Sequence, residues 1–239
     1  MQNDNLVLIS GKSATGKSAS LANIKDPKGV LYLNCEAGKK LPFKSSFTEF
    51  TVLDPLKVYE AFDQAEKQKE CHTIIIDTLT YLMDLYESKY VLPAADGRSA
   101  WQSYAQYFRN LMQTYVAKST KNVIILAHST NQLNEAEMVT ETFVPIKGAT
   151  AKVGVESFFS TVISTKKMSL LDLEKYGSPL LNVSEEEEML GYKYVYQTKL
   201  TKDSINERIR GPMGMWSNGE TFIDNSAQHV IDKLKDYYA

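Results

Sequence analysis

Between residues 11 and 18 the chain reads Gly11-Lys12-Ser13-Ala14-Thr15-Gly16-Lys17-Ser18. Two glycines bracket four residues, and a lysine and a serine follow directly. This spacing is the one that cradles a polyphosphate. The glycines let the backbone close around an anion without a Cβ in the way. Successive N–H groups, and the start of a following helix, then face the phosphates. Lys17 is placed to reach the β- and γ-phosphates and the Ser18 hydroxyl to hold Mg²⁺. The eight residues are therefore expected to bind ATP, with Mg²⁺ as its companion.

Three more polar residues stand where apolar runs end. Glu36 comes soon after Val30-Leu31-Tyr32-Leu33, Asp77 closes Thr73-Ile74-Ile75-Ile76, and His128 closes the run from Asn122 to Ala127. Open α/β sheets bind ligands at the carboxyl ends of their strands. Asp77, downstream of a P-loop, fits the carboxylate that orients Mg²⁺ through Ser18 and the phosphates. His128 is placed to sense the γ-phosphate. From position alone Glu36 is either a ligand-facing acid or a loop acid without a role. Arg208 and Arg210 precede Gly211-Pro212 and suit a loop that supplies an arginine finger, or are plain surface charges.

These residues need elements to position them. A strand over 6–9 leads into the P-loop, and a short helix over 17–24 ends before Asp26-Pro27-Lys28-Gly29, a turn. Strands are predicted over 30–33, 48–53, 73–77 and 122–128. Asp54-Pro55 reads as an N-cap with proline at the first helical position, opening a helix that runs to about Glu70. Helices are predicted over 78–91 and 99–118. Trp101, Tyr104, Phe108, Leu111 and Tyr115 fall on one face of the second, and this stripe reads as core rather than as a base-stacking platform. Residues 129–152 show no periodicity and read as a long loop, functional or mobile. A strand over 158–165 is flanked by Lys166-Lys167. Residues 168–190 form a partly acidic insertion, in which Ser184 and Glu187 have capping-box spacing. A strand over 192–199 and a closing helix over 228–238 complete the chain.

With 239 residues and a hydrophobic content of 43%, the chain is sized for one α/β domain with a full core. The segments 168–190 and 192–239 are expected to be an insertion and a C-terminal extension packed on that core. The net charge of −2 gives no global field for nucleic acid, so any such contact needs a local patch or several copies side by side. Two cysteines, Cys35 and Cys71, suit a reducing cytoplasm. The polar N-terminus predicts no signal peptide, and no apolar run approaches the ~20 residues of a membrane-spanning helix.

P-loop, Glu36, Asp77 and His128 occur in the order and spacing of the RecA-like ATPases. Over residues 5–165 the chain resembles that family, and more narrowly its compact phage-encoded recombination and single-strand annealing members. The resemblance implies a mostly parallel sheet flanked by helices, here with additional C-terminal strands. It implies that Glu36 is the general base for water and that the His128 strand lies between the strands of the P-loop and Asp77. His128 stands where RecA has a glutamine. The resemblance further implies a homo-oligomer with ATP at or near the protomer interface, and single-stranded DNA as partner along parts of 129–152. Lys147, Lys152, Lys166 and Lys167 are the basic residues near that channel. A cytoplasmic location follows, in a bacterial host if the chain is phage-encoded. Only five residues precede the first strand, so an assembly contact is expected elsewhere, in the C-terminal region. Two other readings remain at this point: a P-loop kinase of small molecules or nucleotides, and a slow nucleotide switch.

Overall fold

The computed structural model describes residues 3–239. Strands β1 (Leu6–Gly11), β2 (Val30–Asn34), β3 (Thr48–Thr51), β4 (Thr73–Asp77) and β5 (Asn122–His128) come first along the chain. A hairpin of β6 (Thr130–Asn134) and β7 (Val139–Phe143) stands apart from the main sheet. β8 (Val162–Ser169), β9 (Tyr192–Gln197) and β10 (Phe222–Asp224) complete the set. The sheet order is β10-β9-β8-β1-β5-β4-β2-β3. From β8 to β3 every pairing is parallel, while β9 and β10 add antiparallel neighbours. The His128 strand thus lies between the P-loop strand and the Asp77 strand, the order of a RecA-like P-loop fold.

The central strands are apolar on both faces because both faces are covered. Leu6, Leu8, Leu33, Ile74, Ile76, Val123 and Ile125 pack beneath α1 (Lys57–Lys67), α2 (Leu79–Tyr86) and α3 (Gly97–Asn110). The alternate residues, Val7, Ile9, Tyr32, Ile75, Ile124 and Leu126, face the other way. There they meet Leu21, Ile24 and the last helix, whose Val230, Ile231 and Leu234 are buried. Two short helices, α4 (Leu170–Leu173) and α5 (Glu185–Leu190), fill the connection between β8 and β9. The last helix is α6 (Ala227–Tyr238).

Several boundaries differ from expectation. The helix after the P-loop shrinks to a 3-10 turn, Ser18–Leu21, because successive i,i+3 bonds and the Ser20 hydroxyl on the Lys17 carbonyl (2.5 Å) tighten it. α1 starts at Lys57, two residues inside the expected start. Asp54 caps only the preceding turn, through Leu56 N at 3.0 Å, and otherwise receives Lys89 and Tyr90. The long loop over 129–152 contains the β6–β7 hairpin. β8 begins at Val162 and runs to Ser169, so Lys166 and Lys167 lie inside the strand, paired in register with Val195 and Tyr194. The 168–190 segment does carry the Ser184–Glu187 capping box, on a helix that buries no residue. Tyr104, Phe108 and Leu111 are core, as the stripe implied.

Candidate nucleotide site

Register brings the polar strand ends together. Asn34 pairs with Asp77, Asp77 with Leu126, and Gly11 with His128. The carboxyl ends of β1, β2, β4 and β5 therefore open on one cleft of about 320 Å³, lined by Gly16, Lys17, Ser18, Tyr32, Glu36, Asp77 and His128 among others.

The P-loop itself is shaped by positive φ at Ala14 (60°) and Gly16 (90°). The two glycines serve different ends. A Cβ on Gly16 would stand 2.6 Å from Asn225 Nδ2, the group that donates to the Gly16 carbonyl at 2.9 Å. A Cβ on Gly11 would collide with the Thr165 side chain. Gly11 is thus required by the neighbouring strand as well as by any phosphate. Thr15 Oγ1 and Thr165 Oγ1 are 2.6 Å apart, joining the loop to β8. Because only one 3-10 turn follows, no long helix dipole stands behind the cradle. The loop amides and Lys17 must carry the anion.

Lys17 is buried, and its Nζ donates to the carbonyls of Gly11 (2.9 Å) and Lys12 (2.7 Å). Burial lowers its pKa from 10.5 to about 8, against the opposing pull of Asp77 and Glu36. Lys12 and Ser13 are exposed at the rim. Ser18 Oγ donates to Asp77 Oδ2 at 2.8 Å, and Tyr32 Oη donates to the same oxygen at 2.9 Å. Asp77 Oδ1 is buried without a partner. Burial raises the Asp77 pKa, with the Ser18 and Tyr32 bonds opposing. A buried carboxylate oxygen without a partner, beside a serine hydroxyl, fits Mg²⁺. The remaining positions would come from phosphate oxygens and water, as magnesium prefers.

Glu36 is positioned by Asn34, which is fully buried. Asn34 Oδ1 accepts from Glu36 N at 3.0 Å, and its Nδ2 donates to the Lys39 carbonyl and to Glu49. Glu36 Oε1 is 3.6 Å from His128 Nε2, too long for a hydrogen bond, and His128 Nε2 is buried without a partner. Burial, then the nearby Lys17 charge, lowers the His128 pKa, so the ring is neutral at pH 7. Its backbone N–H donates to Thr80 Oγ1 at 2.9 Å, and Tyr81 packs on the ring edge-on.

The remaining sequence assignments lie outside this cleft. Arg208 is held by Glu156 (3.2 Å) and Glu141 (3.4 Å). Arg210 is exposed, and its backbone pairs with Val162. Lys147 pairs with Glu87 at 2.6 Å and Lys166 with Glu207 at 2.5 Å. Among the described residues Lys152 and Lys167 form no ion pair, although Lys167 Nζ lies 3.6 Å from the centre of the Tyr192 ring. Lys166 and Lys167 share a polar pocket of about 300 Å³ with Gly11, Lys12 and Thr15. The structure therefore does not gather the four lysines into one unpaired patch.

Sequence reading missed Tyr32, Asn34, Lys39, Tyr194 and Asn225. Tyr32 and Asn34 had a signal, two polar groups in an otherwise apolar strand. Tyr194 and Asn225 had none, since only the fold brings them to Gly16. Among the described residues no helix is long and apolar enough to cross a membrane.

No curated protein matches the chain in sequence. Among solved structures it is similar to a KaiC-like protein from the hyperthermophilic archaeon Pyrococcus horikoshii, at 11% identity over 85% of this chain and 82% of that one, with a TM-score of 0.46. Residues 3–199 match the AAA domain family, a span that takes in every strand end of the cleft, and the chain belongs to that family of P-loop ATPases.

Proposed function

We propose that the chain hydrolyses ATP with Glu36 as general base and couples that hydrolysis to single-stranded DNA in recombination, annealing or repair. The observation that carries the hydrolase reading is the convergence of Lys17, Ser18, Asp77, Glu36 and His128 on one cleft. The P-loop amides and Lys17 bind and orient the phosphates. Ser18 and Asp77 would hold magnesium, which when bound would neutralise charge on the phosphates. Glu36, fixed by Asn34, accepts the proton of the attacking water. Neutral His128, which lines the same cleft 3.6 Å from Glu36, meets the terminal phosphate in this reading, with its Nε2 donating or accepting according to its tautomer.

The DNA reading is supported by the β6–β7 hairpin, which continues directly from the His128 strand. Ser129 N donates to the Gly11 carbonyl at 3.1 Å, so the hairpin base touches the P-loop. Lys152 and Lys167, free of carboxylate partners, carry the phosphate contacts in this reading, whereas Lys147 and Lys166 contribute less because Glu87 and Glu207 offset them. Two contacts per protomer give a salt slope of only about 1.4 on single strands. Useful affinity then requires several protomers in a homo-oligomer with ATP between neighbours, and Arg210, exposed where Arg208 is doubly paired, is the arginine that reaches across.

Turnover with and without single-stranded DNA tests the whole. Stimulation is expected, together with loss of about a hundredfold in Glu36→Gln while ATP still binds. Equal turnover by Glu36→Gln removes Glu36 as base. Absence of binding to single strands at low salt with ATP and Mg²⁺ removes the DNA reading.

A further inference from the structure

Glu36 has a cationic neighbour that the hydrolytic reading does not yet use. Its Oε2 accepts from Lys39 Nζ at 2.7 Å, and Lys39 belongs to a stretch that folds over the cleft. Positive φ at Ala37 (53°) and Gly38 (79°) turns the chain back directly after Glu36. Lys39, Lys40, Leu41 and Pro42 then line the cleft together with the P-loop residues. The Lys39 backbone is fixed, since its carbonyl accepts from Asn34 Nδ2 at 3.0 Å. Its side chain is 70% exposed and free to change partner, whereas the Glu36 side chain is only 9% exposed. Lys40 points to a different acid, Glu49, at 3.7 Å. The other cation in the cleft wall, Lys17, is bound to the carbonyls of its own loop. Arg208 lines a different cavity and is held there by two carboxylates.

We propose that Lys39 is a catalytic cation acting within its own chain, which pairs with Glu36 and passes to the γ-phosphate when ATP enters the cleft. The proposal rests on the hydrolase reading with Glu36 as base. An ammonium that leaves a carboxylate for a phosphate oxygen stays paired throughout, so the exchange costs little. Its departure opens Oε2, the oxygen that Lys39 holds, to the attacking water when a γ-phosphate is present. Water oxygen then bonds to the γ-phosphorus, and the bond to the β–γ bridging oxygen breaks. ADP leaves with that electron pair, and the water proton passes to Glu36. Lys39 keeps its own proton and gives only charge and N–H donors, the part that an arginine finger plays in related chemistry. ADP has no γ-phosphate, so it should leave the Lys39–Glu36 pair untouched.

The test compares Lys39→Ala, Lys39→Gln and Lys39→Arg with the wild-type protein. Binding of ADP and of a non-hydrolysable ATP analogue is measured by calorimetry, and turnover is measured separately. In the alanine and glutamine variants, analogue affinity should fall about tenfold with ADP affinity unchanged, and kcat should fall by about a hundredfold. Arginine should recover part of both. A merely structural lysine would weaken both nucleotides alike, and that result overturns the proposal. So does unchanged or faster turnover in Lys39→Ala. If the wild-type protein itself shows no turnover, the hydrolase reading fails, and the comparison of the two nucleotides still decides whether Lys39 meets the γ-phosphate.

Discussion

ATP affinity should fall as pH rises above 8, and the residue responsible is Lys17. Burial depresses its ammonium from 10.5 to about 8, and a bound triphosphate, bringing several negative charges to Nζ, restores the protonated form. ATP binding above pH 8 therefore takes up a proton. If the bound value returns to 10.5 or higher, affinity should drop roughly 30-fold between pH 7 and 9.5, about 2 kcal/mol. Three other cleft groups are shifted away from this window. Lys39 is shifted up by its bond to Glu36, Tyr32 is shifted up by burial, and His128 is shifted down by burial. The same depression acts on folding. The charged ammonium opposes folding below pH 8, and the stability contributed by the neutral amine is present above 10.5 and is lost as pH falls through 8. Its limit is about 3 kcal/mol. Isothermal calorimetry of ATP against pH, with Lys17→Met as the reference, reads the first effect, and thermal unfolding at pH 7 and 9.5 reads the second. Lys17→Met should bind weakly with a flat profile. Equal wild-type affinity at pH 7 and 9.5 would refute the argument, because it would mean that Lys17 titrates outside this range or never meets the phosphates.

Two further outcomes follow from the geometry around the P-loop. Asp77→Asn keeps an acceptor for Ser18 and Tyr32 but loses the negative oxygen Oδ1, so the half-saturating Mg²⁺ for turnover should rise about tenfold or more with the melting temperature little changed. A magnesium titration at fixed ATP checks this, and an unshifted midpoint would exclude Asp77 from the metal site. Gly16→Ala forces a side chain onto φ of 90° and against Asn225, costing about 2 kcal/mol and lowering the melting temperature by about 4–8 °C. Calorimetric unfolding measures it, and wild-type stability would show that the loop relaxes freely.

Much of the site was legible because its signals are local. A polyphosphate cradle is built from consecutive backbone amides, so Gly11 to Ser18 could be read from spacing alone. Asp77 and His128 were visible because strands buried on both faces are continuous apolar runs, and the residue ending such a run stands at the ligand edge. The place of the His128 strand, between the strands of the P-loop and Asp77, is the one the resemblance implied, whereas the register that aligns their ends comes from the structure. What stayed hidden is set by contacts distant in sequence or by residues that carry no pattern. Asn225 meets Gly16 across 209 positions. β6 is Thr130-Asn131-Gln132-Leu133-Asn134, exposed along nearly its whole length, so no alternation marks it as a strand. β8 continues past its apolar half because pairing with β9 sustains it where Lys166 and Lys167 break the pattern. The helix after the P-loop fell short because Ser20 turns its hydroxyl back to the Lys17 carbonyl, a competition that apolar periodicity does not register.

These hidden contacts change what the late part of the chain is for. β9 and β10 do more than widen a sheet. Tyr194 packs on Gly16, Asn225 holds the Gly16 carbonyl, and Gln228 accepts from the backbone of Lys25, just past the turn that the P-loop opens. From the β8 side Thr165 meets Thr15. The cradle is therefore held from two sides, at Thr15 and at Gly16, by segments that follow the His128 strand. A long first helix would ordinarily brace such a loop from behind, and here a single 3-10 turn takes its place. α6 then covers the sheet face beside that turn, burying Val230, Ile231 and Leu234 against the alternate residues of the central strands. The brace that the short turn cannot give is thus supplied by Asn225, Tyr194 and α6, and the shape of the nucleotide cleft is a property of the whole chain from β1 to α6.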